Sequence, residues 1–248
     1  MTTLKPSGST APAPATTAAS EIDTANLPEL GPDSILWQRF GDWRSMFVAL
    51  SAGVLQIAQR DISRSLVQQS NVFDNEVARL VRSAFPIIRT VYEGPEVGAM
   101  IRDFHKDIKG THPDGTRYHS LNPEVYYWAH ATFTAMPYYL AGNFMPELSR
   151  AEREQLFQES RTWYSYYGVA EPENAPKTYD EYVKYMDAMY DKLGPSETID
   201  RSRIMIGLTL DRPVGERLYG SLALAALERD DAARREALAL EIAHHPID

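Results

Sequence analysis

The most constraining stretch of this sequence is Met46 to Ala58, a nearly unbroken apolar run of Met46, Phe47, Val48, Ala49, Leu50, Ala52, Val54, Leu55, Ile57 and Ala58. It is longer than a typical strand and carries no charge, so it reads as a helix covered by other helices. Gly53 inside it costs about 1 kcal/mol of helix propensity relative to Ala. Close approach of another helix or of a flat ligand would explain its presence.

The rest of the chain supports an all-α reading. Pro32 and Asp33 precede a short helix with Ile35, Leu36 and Phe40, interrupted at Gly41. Asn75 to Tyr92 is amphipathic, with Pro86 expected to kink or end it. Gly94-Pro95 marks a turn, and a helix is expected from Glu96 to Gly110. The segment 110–120 holds Pro113, Asp114 and Gly115 and reads as a loop with room for a short hairpin. Three helix starts are signposted: Asn122-Pro123, the capping box Ser149 to Glu152, and Thr178 to Glu181. Residues 217–242 look helical again. The expected fold is a single all-α bundle over 26–248, behind a disordered Thr-, Ala- and Pro-rich leader over 1–25.

Composition excludes several functions. The 248 residues include no cysteine, which removes disulfides, thiolate-bound metal and a cysteine nucleophile. Thirty-four acidic against 25 basic residues give a formal charge of -9, poor for general nucleic-acid binding. No secretory signal and no run of 18 apolar residues stands in the sequence, so no membrane span is expected and the expected location is cytoplasmic. No P-loop, G-x-G-x-x-G, H-E-x-x-H or G-x-S-x-G is present.

Chemistry therefore falls to six histidines. His244 and His245 lie near the C-terminus, and His112 and His119 flank a Pro-Asp-Gly turn, where surface positions are expected. His105 and His130 sit in expected helices beside large apolar residues. Arg102, Lys106 and Lys109 accompany His105, and a helix histidine with such neighbours suits either haem ligation or plain packing. Glu124 and Glu159 are candidate metal ligands that nothing sets apart from solvated carboxylates.

Three segments together resemble a known family: LSAGVLQIAQRDISRSLVQQSNVF, GPEVGAMIRDFHKDIKGTHPDGTRYHSLNPEVYYWAHATF and ELSRAEREQLFQESRTWYSYYGV. The family includes the fungal mycophenolic-acid pathway oxygenase and the latex-clearing rubber oxygenase, and is common in actinobacteria. The resemblance covers 35–195. It implies an all-helical b-type haem protein that uses O₂ or peroxide to oxidise a small or apolar organic substrate, with a place in secondary metabolism. The family's Arg-x-x-His-x-x-x-basic pattern is matched by Arg102, His105 and Lys109, which implies His105 as the iron ligand, with Arg102 and Lys109 near the propionates. The Trp-x-His-Ala-Thr segment implies pocket roles for His130, Thr132 and Thr134.

One departure stands out. Relatives with Gln-x-Ala-His-Pro carry a histidine where this chain reads Gln56-Ile57-Ala58-Gln59-Arg60. Glutamine is a poor iron ligand, so this side is read as open to O₂ or peroxide, with Gln59 or Arg60 donating a hydrogen bond there. Two other readings stay open: a haem-free helical binding protein, and a non-haem metal oxidase using His105, His130 and Glu124. Substrate identity and oligomeric state are left open.

Overall fold

The computed structural model describes residues 24–70 and 76–194, with 22, 196 and 198 singly. The leader apart from these residues, and the helix expected over 217–242, lie outside the described residues. What is described is an all-α bundle of eight helices with one two-stranded hairpin.

Its axis is α6, Pro123–Leu140. Its sequence has a charge only at Glu124, in its first turn, and beyond that turn almost every residue is buried. A helix apolar on all sides must be surrounded, and α6 packs against α1 (Ile35–Phe40), α2 (Ser45–Ile57) and α7 (Arg150–Ser165). The most extensive of these pairings is with α2, the apolar run singled out above, which buries Val48, Ala52 and Leu55. Gly53 is not a point of close approach: no described residue lies within 4 Å of where its Cβ would be.

Local signals set most boundaries. Asn122 caps α6, its Oδ1 accepting from the Glu124 N–H at 3.0 Å. The Ser149 capping box of α7 forms in both directions. Thr178 caps α8, Tyr179–Tyr190. The break expected at Pro86 is overridden, since α4 (Glu76–Glu93) runs through it, and α6 likewise runs through Pro137. Each proline forfeits one backbone hydrogen bond, and the helix continues past it.

Two elements differ from the sequence reading. Arg60–Gln69 forms a helix, α3, capped by the Gln59 side chain, whose Oε1 accepts from the Ile62 N–H at 2.9 Å. The helix expected to reach Gly110 ends at His105 (α5, Pro95–His105). The chain then turns into β1 (Lys109–Thr111), paired antiparallel with β2 (Arg117–His119), Gly110 opposite Tyr118. Gly110 gives a close approach there: a Cβ would fall 2.6 Å from both the Tyr118 hydroxyl and the Gln68 side chain, and those two ends would have to shift. Gly98 in α5 has the same kind of role. A Cβ there would stand 2.3 Å from the Tyr166 carbonyl oxygen, so only glycine lets α5 lie against the end of α7.

The core is aromatic. Trp128, Trp163, Tyr138, Tyr164, Tyr182, Phe40 and Phe157 are all fully buried. Several donate across helices to backbone or side-chain oxygens: Tyr138 Oη to Arg153 O (2.8 Å), Tyr182 Oη to Ala131 O (2.8 Å), Trp128 Nε1 to Leu55 O (3.2 Å), Trp163 Nε1 to Thr90 Oγ1 (2.7 Å) and Tyr92 Oη to Trp37 O (2.7 Å). Buried aromatics with a polar tip need such partners.

Candidate functional site around His105 and His130

The two helical histidines sit in different surroundings. His105 is the last residue of α5 and is half-buried. Its Nδ1 lies 2.7 Å from the Ile101 carbonyl oxygen, which can only accept. That places a proton on Nδ1, and in the neutral ring it leaves the lone pair on Nε2, the tautomer suited to metal ligation through that atom. The ring meets the edge of Tyr126 at 5.7 Å between centroids. Tyr126 in turn meets Tyr167 at 5.5 Å.

His130 lies deeper, 4% exposed, inside a cage of rings: Trp163 at 4.6 Å, Tyr164 at 5.0 Å, Tyr167 at 6.1 Å and Tyr127 at 6.2 Å. Its Nε2–H donates to the Ser160 carbonyl at 3.0 Å, and Thr134 Oγ1 stands 3.3 Å from the same nitrogen. Nδ1 is buried with no hydrogen-bond partner. Burial pushes the imidazole down to about 3, against the smaller opposing effect of the Ser160 bond, so the ring is neutral.

The other expected residues are distributed around these two. Arg102 is half-buried and pairs with Asp103 through Nη2 at 2.9 Å. Lys106 binds the same carboxylate at 2.7 Å, and hydrogen bonds from Lys106 and then Arg102 hold Asp103 below the usual carboxylate range. Lys109 is exposed on β1 rather than one helical turn from His105, because α5 has already ended. Gln56 holds α2 to α6, its Nε2 donating to Thr132 Oγ1 at 2.8 Å and to Ala129 O at 3.2 Å. Gln59 is engaged as the α3 cap. Arg60 reaches Asp114 at 2.5 Å across to the hairpin turn. The structure thus brings His130 together with Thr134, Gln56 with Thr132, and His105 with Arg102 on one helix end.

Three residues have roles the sequence did not reveal. His112, expected at the surface, is 5% exposed, because its Nε2 bonds the Asp61 carboxylate at 2.8 Å and its ring packs on Tyr118. Glu159 is a buried helix cap, its carboxylate accepting from the Leu36 N–H at 2.7 Å and the Ile35 N–H at 3.2 Å. Tyr126 is the ring against His105. Glu124 is exposed in the first turn of α6. Among the described residues, no group of three or more His, Asp or Glu is placed to hold a metal ion.

A family model described as the catalytic domain of the ER-bound oxygenase mpaB/B′ and rubber oxygenase matches residues 37–246. The chain belongs to this family. Membership makes it an oxygenase-type enzyme by descent, with the all-α bundle of that catalytic domain. The match runs beyond the 35–195 stretch on which the resemblance rested. It also corrects the cytoplasmic expectation, since the family's description names ER-bound enzymes. Among the described residues, no helix is long and apolar enough to cross a membrane. No curated protein and no solved structure matches the chain.

Haem b, which the family resemblance implies, fits the residues at His105 and not those at His130. At His105 a backbone carbonyl orients the ring, and cations stand beside it on the same helix end. At His130 four rings within 6.2 Å leave no face open to a porphyrin.

Proposed function

We propose that this chain is a haem b-dependent oxidoreductase in which His105 ligates the iron, oxidising a small or apolar organic molecule with O₂ or peroxide. The observation that carries the reading is the His105 Nδ1 contact with the Ile101 carbonyl at 2.7 Å, in a chain of an oxygenase family. Bound haem would supply the redox chemistry of O₂ or peroxide. The chain's own residues supply orientation and charge. Ile101 holds the His105 ring, and Tyr126 walls it. Arg102, with Lys106 beside it, offers cations for the propionates, and Lys109 offers another from β1. His130, neutral and bonded to Thr134, stands behind Tyr126 through Tyr167, deep in the bundle. Gln56 holds α2 to the same helix through Thr132. Gln59 caps α3 through Oε1 and Arg60 reaches Asp114 through Nη2, so a hydrogen bond to oxygen would come from Gln59 Nε2–H or from another Arg60 N–H.

The test is a visible spectrum of the full chain produced with added haem precursor. A Soret band at one haem per chain, lost or strongly displaced in His105→Ala, is expected. No Soret band in the wild type sinks the reading and favours a haem-free binding protein, for which the replacement of the relatives' histidine by Gln59 is the supporting observation.

A further inference from the structure

The segment that follows His105 is fastened to α3 more heavily than a surface turn requires. Its two strands are three residues each, and a ribbon of that size does not hold together alone in water. What holds it is α3. Tyr118 Oη donates to Gln68 Oε1 at 2.5 Å, Gln68 Nε2 to the Thr111 carbonyl at 3.2 Å, and Gln69 Nε2 to the Lys109 carbonyl at 2.6 Å. Arg60 reaches Asp114 at the tip. Those involving Arg60, Gln68 and Gln69 are largely at the surface, where single polar contacts contribute little. The exception is His112, buried with its Nε2–H on the Asp61 carboxylate at 2.8 Å.

The other end of the ribbon is rooted in the turn that ends α5. His119 Nε2–H donates to the Lys106 carbonyl at 3.0 Å. The Ile108 N–H donates to the His105 carbonyl at 3.2 Å, and the Ser120 N–H to the Ile108 carbonyl at 2.9 Å. The ribbon is therefore a strut, with Asp61 and His112 at one end and the backbone of residues 105–108 at the other.

We propose that Asp61 and His112 are positioning residues for His105: the bond of buried His112 to half-buried Asp61 anchors the hairpin to α3, and the hairpin fixes the last turn of α5, where the His105 ring meets the Ile101 carbonyl. The importance of this for chemistry rests on His105 being the iron ligand; the mechanical coupling does not.

The experiment uses the full chain, Asp61→Ala and Asp61→Asn, with two readouts. Imidazole ¹H–¹⁵N NMR without haem reports the His105 tautomer and its Nδ1–H bond. Asp61→Ala is expected to displace the His105 ring signals. Asp61→Asn, which keeps an acceptor oxygen for His112, is expected to restore them. Haem titration is expected to weaken about tenfold to a hundredfold in Asp61→Ala, the range for losing support behind a ligand, and to recover in Asp61→Asn. His105 signals unmoved in Asp61→Ala overturn the proposal. Displaced signals in a chain whose wild type takes up no haem uphold the strut and remove the ligand reading. If Asp61→Ala does not fold, hydrogen exchange on the wild type decides: amides of 109–119 and of 106–108 opening as one unit support the strut, and independent opening overturns it.

Discussion

His130 donates from Nε2 to the carbonyl of Ser160 at 3.0 Å, and this one bond ties the centre of α6 to α7 while leaving Nδ1 buried and unpartnered. The ring can neither gain a proton cheaply nor swing out, because Trp163 and Tyr164 stand within 5.0 Å of it.

His130→Ala should therefore retain haem in the reconstituted protein, with a Soret band close to that of the wild type, while lowering thermal stability by removing a packed ring. Haem stripped by His130→Ala but kept by His105→Ala, read from the same spectra, would invert the assignment.

The same residue sets a pH dependence. Its folded-state value of about 3 lies below the ordinary histidine value, so the unfolded chain binds more protons than the folded one between about pH 6.5 and 3. The stability it contributes is fully present above that window and is lost as pH falls through it, at up to about 1.4 kcal/mol per pH unit. Urea unfolding at pH 7, 6 and 5 should show that slope in the wild type and a shallower one in His130→Gln.

Two glycines should respond oppositely to a methyl group. Gly98→Ala puts a Cβ 2.3 Å from the Tyr166 carbonyl and should cost about 1–3 kcal/mol, as overpacking does. Gly53→Ala meets no described neighbour and should stabilise by about 0.5–1 kcal/mol through helix propensity. Chemical denaturation of the two variants checks both signs.

Glu159→Ala should destabilise by about 1–3 kcal/mol, because it strips the acceptor from the Ile35 and Leu36 N–H groups at the start of α1. Glu159→Gln, which keeps one acceptor oxygen, should cost less. Equal losses in denaturant midpoint would show that the carboxylate is not acting as the cap.

What the sequence disclosed follows from range. The caps at Asn122, Ser149 and Thr178 were legible because each is completed within three residues. The bundle itself was legible from the charge-free run that became α2. Helix α3 escaped because Arg60–Gln69 is mostly polar and offers only a narrow apolar stripe. The end of α5 was placed too late because nothing before Gly110 breaks the helical pattern, and the pull of the hairpin comes from Gln68, Gln69 and Asp61 far upstream. Glu159 looked like any surface carboxylate because the N–H groups it caps lie more than 120 residues away. Of the candidate site, the His105 neighbourhood on its own helix was readable, and its ring partner Tyr126 was not.

The cross-helix hydroxyl and indole bonds of the core bear on how such a bundle can move. Oily helix faces can slip along one another by a turn, about 5.4 Å, and still bury similar area. Tyr138 on Arg153 and Tyr182 on Ala131 act as pins against that slip, since each hydroxyl has to give up its buried carbonyl before it can meet another. These bonds hold the axial register between α6, α7 and α8, so swinging a segment aside disturbs the core in fewer places than sliding one rod past another.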